Sequence, residues 1–142
     1  MFGDERWWKT GQWFGAEFVR AVHGDCLLVA VRDAASESTV HVRIRLARVC
    51  DWNQARGVAA NDTPCARRVW QLCQGEPLMI CPKRAWPDPY GRIIAEVMLH
   101  CGAVDAAGPS CGLNLSTFLL REGHVARWRG LRGGRVASHG GA

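Results

Sequence analysis

Residues 39–54 read TVHVRIRLARVCDWNQ, and the fold turns on them. Val40, Val42, Ile44 and Leu46 alternate with His41, Arg43 and Arg45, the period of a strand with one apolar and one cationic face. The strand runs out into Cys50, Asp51, Trp52, Asn53 and Gln54, a polar exit without a β-branched residue. Side chains at such an exit are placed to meet a ligand.

Before this stretch, an apolar pattern through Phe18, Val19 and Val22, and again through Leu27, Leu28, Val29 and Val31, is broken at His23-Gly24-Asp25. Glycine beside aspartate is a turn signal, so residues 16–50 are expected to form a three-strand meander. Ahead of it lies a tryptophan-rich arm with Trp7, Trp8 and Trp13, whose rings suit covering a part of the core.

After the stretch, Thr63 and Pro64 open a helix as N-cap and first helical residue. Ala66, Val69, Trp70 and Cys73 recur at helical spacing until Gly75 stops it. Residues 78–81 form a short strand, and PKRAWPDP at 82–89 a stiff loop. Ile93, Ala95, Val97 and Leu99 resume strand alternation, and residues 101–111 are a Gly/Pro loop. Asn114 caps a second helix carrying Leu115, Phe118 and Leu119, stopped by Gly123. The tail from Arg129 is basic, Gly-rich and expected to be flexible. The order β, β, β, α, β, β, α predicts an α+β, mainly β fold. It is that of a five-stranded OB-fold barrel, with one helix between strands 3 and 4 and a short helix after strand 5. The domain division is 1–15 for the arm, 16–128 for the barrel and 129–142 for the tail.

At 142 residues and 48% hydrophobic, the chain has material for one core. No apolar run reaches the roughly 20 residues of a membrane helix, and the start lacks the apolar segment of a signal peptide. A cytoplasmic protein without a membrane partner is expected. The seven cysteines include no C-x-x-C pair and fit neither a zinc ribbon nor a disulfide framework, so reduced, mostly buried thiols are expected. The net charge is +5, and 16 of the 18 basic residues are arginine. The planar guanidinium suits bidentate phosphate binding. The arginine bias runs the whole length of the chain, so position rather than number must identify a site.

Position does so in four places. Asp25 follows a glycine at the first turn; R-L-A-x-V spans 45–49; D-x-Y-G-R spans 88–92; L-x-R-E-G spans 119–123. In this order and spacing, over residues 22–128, the series resembles the staphylococcal-nuclease-like (thermonuclease) family. The resemblance implies an OB-fold that hydrolyses phosphodiester bonds of DNA and RNA with calcium. It implies Asp25 as a metal ligand and Arg45 and Arg92 as the catalytic clamp on the scissile phosphate, a role for which fixed cationic forks need no reorganisation. Tyr90 would hold a neighbouring phosphate. Lys83 and Arg84, the two cations of the stiff loop, complete the nucleic-acid-binding set.

The sequence departs from the family at the polar exit. The family follows its arginine with R-L-x-G-I-D-x-P-E, whose aspartate binds metal and whose glutamate is the proposed general base. Here the ungapped reading puts Cys50 and Asn53 at those positions. Sliding by one residue makes Asp51 the second metal ligand and puts Gln54 at the base. Neither register supplies a base, and general-base catalysis is worth about 10²–10⁴-fold. Calcium wants several hard oxygen ligands, so its site is expected to be weak or absent. Asp62-Thr63-Pro64 repeats the family's D-T-P, but Cys65 follows where glutamate should stand, which favours the helix-cap reading. Tyr90 is the sole tyrosine, so the family's tyrosine-lined base pocket has no counterpart. Trp86 or Trp128 offers one replacement stacking surface.

Three functions compete on this reading. The first is a degenerate nuclease-like domain that binds single-stranded nucleic acid or another polyanion with little or no hydrolysis. The second is an active calcium-dependent nuclease using Asp25 and Asp51. The third is a protein-interaction module on a former nuclease barrel.

Overall fold

The structure, a computed structural model, describes residues 8–33, 37–51, 63–101, 104–105, 108–109 and 111–128. Residues 1–7 of the tryptophan-rich arm, Asn53, Gln54, Asp62 and the basic tail lie outside the described residues. The long strands are β1 (Phe14–His23), β2 (Cys26–Asp33), β3 (Ser38–Leu46), β5 (Pro77–Pro82) and β6 (Ile93–Leu99). The short ones are β4 (Val49–Asp51), β7 (Val104–Asp105), β8 (Gly108–Pro109), β9 (Leu113–Asn114) and β10 (Val125–Arg127). Helix α1 (Pro64–Cys73) lies between β4 and β5, and α2 (Leu115–Arg121) between β9 and β10.

Five strands close a barrel. β1 pairs antiparallel with β2 and β2 with β3, β5 pairs with both β1 and β6, and β3 meets β6 in parallel at Ile44↔Ile93, Arg45↔Ile94 and Leu46↔Ala95. β1 serves two neighbours because it bends: its register against β2 shifts between Phe18 and Arg20 and again between Ala21 and His23. Extra residues at such shifts turn a strand around a barrel corner. The result is a closed, five-stranded mixed barrel with two helices, an OB-like fold.

The alternation read from residues 40–46 decides which way β3 faces. Val42, Ile44 and Leu46 are buried, with Leu27, Val29, Ile80, Val97 and Leu99 from neighbouring strands, while His41 and Arg43 are exposed. Each such core side chain is worth about 1.5–3 kcal/mol on burial. Arg45 breaks the expected cationic face: it is only 4% exposed. The end of β3 carries β6 at its side and Trp128 above it, so the outer position there is covered.

Helix α1 begins as its sequence requires. Thr63 accepts a hydrogen bond from the Ala66 amide at 3.0 Å, and Pro64 takes a position that needs no donor. Cys65, Ala66, Val69 and Cys73 face the core, whereas Trp70 sits at the rim with its ring edge against Phe18. α2 is capped by Asn114, whose side chain accepts from the Thr117 amide. The stretch 101–111 holds more structure than the expected loop: β7 pairs with β8, and just after it β9 pairs with the end of β6. Its strands are two residues long, too short to leave a periodic signal.

Candidate functional site

The β1–β2 turn, the end of β3 and β4 converge on one buried polar cluster. Asp25, on the turn, accepts the Asp51 amide on Oδ2 at 2.9 Å, and the Arg45 guanidinium lies 3.6 Å from the same oxygen. Arg45 also donates through Nη1 to the carbonyls of Val49 at 2.6 Å and Leu46 at 3.1 Å. One guanidinium thereby ties the chain reversal between β3 and β4 to the first turn of the barrel. Its pKa is lowered by burial, with Asp25 pulling the other way.

Of the two candidate second ligands, Asp51 reaches Asp25 through its backbone amide, and Cys50 lies near enough for the Asp25 charge to act on its thiol. Asp51 is 2% exposed, and Thr63 donates its hydroxyl to Asp51 Oδ2 at 2.7 Å. Thr63 was legible as a helix cap; its second task was not, because nothing local links residue 63 to residue 51. Gly24 makes the contact possible: a Cβ there would overlap Asp51 Oδ2 and the Cys65 side chain. Cys50 is half-buried, and burial raises its thiol pKa, the opposite of an activated nucleophile.

Asp25 Oδ1 is buried without a hydrogen-bond partner among the described residues, so a cation there is worth testing against the donor set. Calcium takes 6–8 oxygen ligands. Here Asp25 Oδ2 is committed to an amide and a guanidinium, and Asp51 Oδ2 to Thr63. Among the described residues no group of three or more His, Cys, Asp or Glu side chains assembles around a common point. Asp25 and Asp51 meet, but these residues alone do not fit a calcium shell.

The second half of the site is a cleft of about 450 Å³ between the β5–β6 loop and Trp128. Lys83, Arg84, Trp86, Tyr90 and Arg92 line it, so every sequence-selected residue of that loop reaches one space. Trp86 is 62% and Tyr90 71% exposed. Asp88 organises the loop, accepting from the amides of Tyr90 and Arg92 on Oδ1 and from Arg92 Nε on Oδ2, all within 2.9 Å. Burial would raise the Asp88 carboxyl, but these hydrogen bonds and the Arg92 charge hold it below the ordinary aspartate range. Among the described residues the terminal nitrogens of Arg92 have no hydrogen-bond partner, while its Nε is fixed. From β3, Arg43 donates to the Tyr90 carbonyl at 2.7 Å and holds the loop against the barrel.

Trp128 joins the two halves. It lines the cleft on one side, and on the other its ring centre lies 4.3 Å from the Arg45 guanidinium carbon. Its amide donates to the carbonyl of Arg48 at 2.7 Å. Arg48 adopts φ 77° and pairs its guanidinium with Glu96, Asn114 and Thr117. Sequence reasoning missed this brace because its members are scattered over 70 positions of an arginine-rich chain. Among the described residues no helix is long and apolar enough to cross a membrane.

No protein-family model matches this sequence, and no curated protein is significantly similar to it.

Proposed function

We propose that this chain is a staphylococcal-nuclease-like domain that binds the phosphates of single-stranded nucleic acid, or of a similar polyanion, with hydrolysis weak or lost. The observation that carries the reading is the cleft where Arg92, oriented by Asp88, stands with Lys83 and Arg84 beside the exposed Trp86 and Tyr90. A guanidinium held by its Nε presents its terminal nitrogens as a preorganised fork, the geometry phosphate oxygens accept best. Aromatic surfaces beside a basic track suit unpaired bases. Arg45, the other arginine of the proposed clamp, reaches a phosphate only if Trp128 moves aside, so Arg92 carries the first contact. Asn53 and Gln54 are amides and supply no general base.

The test is anisotropy of a labelled single-stranded oligonucleotide across a salt series, with Arg92→Ala beside the parent. Binding should weaken steeply with salt, and the variant should lose about 0.7 of the log–log slope, one phosphate contact. Binding that ignores salt, or that Arg92→Ala leaves unchanged, overturns the proposal. The unpartnered Asp25 Oδ1 supports one other reading, a calcium-dependent nuclease, which needs ligands beyond Asp25 and Asp51. Cleavage that appears with calcium and vanishes with chelator and in Asp25→Ala would select it.

A further inference from the structure

Cys101 and Cys111 lie on opposite sides of one long hairpin. Toward the barrel, β6 and β9 pair at Met98↔Asn114 and Leu99↔Leu113. Toward the tip, β7 and β8 pair at Val104↔Pro109 and Asp105↔Gly108. Two antiparallel ladders therefore bracket the cysteines; the inner register, carried two residues outward, sets Cys101 opposite Cys111, while the outer one is shifted by one residue and sets it opposite Gly112, so Cys111 lies at or next to the facing position. The ladder is broken at the intervening pair, where His100 has φ 54° and Gly112 φ 144°. The two chains nonetheless stay in contact: a Cβ on Gly112 would lie 2.8 Å from the Leu99 carbonyl oxygen and 3.4 Å from the Cys101 Cα. Facing residues of antiparallel strands have Cα atoms about 4.5–5.5 Å apart, inside the range a disulfide bridges.

The remaining five cysteines do not share this setting. Cys26, Cys65, Cys73 and Cys81 are buried, and Cys50 faces Ala126 across its ladder, while Cys111 is exposed and Cys101 half-exposed. We propose that Cys101 and Cys111 form a thiol–disulfide site that closes the hairpin when a low-molecular-weight disulfide is available as oxidant. The Cys111 thiolate attacks the small disulfide, forming a mixed disulfide and releasing one small thiol. The Cys101 thiolate then attacks the Cys111 sulfur and releases the second. Two electrons and two protons pass from the cysteine pair to the oxidant. Burial raises the Cys101 thiol, so its attack on the mixed disulfide accelerates as pH rises.

The hairpin is not a free arm. A Cβ on Gly108, at its tip, would overlap the Trp13 indole, so the tip rests on the residue that leads into β1. Closing the disulfide fixes the loop that carries this contact.

The test uses the full chain, titrated with oxidised glutathione near pH 8 and read by intact mass and non-reducing peptide mapping. The parent should lose two hydrogens, yield one Cys101–Cys111 linked peptide, retain no glutathione and show a raised thermal midpoint that reductant reverses. Cys101→Ser should instead hold one glutathione on Cys111, with no internal link. Glutathione retained on Cys111 in the parent, or a link from either cysteine to any other, overturns the proposal. The mass readout requires no change in stability and stands whether or not the protein binds nucleic acid.

Discussion

The guanidinium of Arg45 lies beneath the indole of Trp128, 4.3 Å from the ring centre, and 3.6 Å from the carboxylate of Asp25. An arginine placed by its motif as a phosphate ligand is thus held by two backbone carbonyls, a carboxylate and an aromatic face. Removing one partner of a buried pair leaves the other charge without compensation, and Arg45→Ala should cost about 3–5 kcal/mol in urea denaturation. Arg45→Met with Asp25→Asn should recover much of that loss. A cost below about 1 kcal/mol for the single change would place the pair in effectively aqueous surroundings.

Trp128→Ala should uncover Arg45. If the polyanion reading is correct, the variant gains a phosphate contact, and the salt dependence of oligonucleotide binding should steepen by about 0.7 in log–log slope. An unchanged slope would mean that Arg45 meets no phosphate even when exposed.

Thr63 caps α1 and also donates to Asp51, so its removal acts twice. Thr63→Val should cost about 1–2 kcal/mol for the cap and about 1–3 kcal/mol for the lost hydrogen bond to a buried carboxylate. Thr63→Ser, which keeps the hydroxyl, should retain most of the stability. Equal unfolding midpoints for the two variants would contradict this double role.

Asp88 and Glu96 both have lowered carboxyl pKa values. At Glu96 burial acts upward and is outweighed by the hydrogen bonds from Arg48 and Asn114. A carboxyl whose folded pKa is depressed stabilises the protein above its unfolded pKa, and that stabilisation fades as pH falls through the folded value. Stability should therefore be flat near neutrality and fall from about pH 4 downward. Asp88→Asn and Glu96→Gln should each make the fall shallower, as followed by thermal midpoints across pH.

Asp88→Asn should also loosen Arg92 without removing it. The amide oxygen can still accept from the two loop amides, but the NH2 in place of Oδ2 accepts nothing from Arg92 Nε and carries no charge, so oligonucleotide affinity should drop by roughly 5–30-fold, about 1–2 kcal/mol. An unaltered affinity would show that Asp88 only shapes the loop.

The sequence by itself determined the long elements. Period-two alternation at 40–46 and 93–99, the turn at Gly24-Asp25, and the caps Thr63 and Asn114 are local signals, set by side-chain packing and backbone hydrogen bonding within a few residues. They were enough to order five strands and two helices and to indicate the barrel. The D-x-Y-G-R stretch was also local: Asp88, Tyr90 and Arg92 act on one another within a single loop.

Tertiary structure decided the rest. That the Asp51 amide reaches Asp25 depends on how β3 reverses at Ala47 and Arg48, with Arg48 in a left-handed conformation that its side chain does not announce. Burial of Arg45 depends on Trp128, 83 positions away by the two residue numbers, and on β6 pairing in parallel beside it. The approach of Cys101 to Cys111 depends on two ladders of two residues each, too short for periodicity to register. Pattern specifies an element through its neighbours in sequence; burial, charge compensation and register across the barrel are set by neighbours in space.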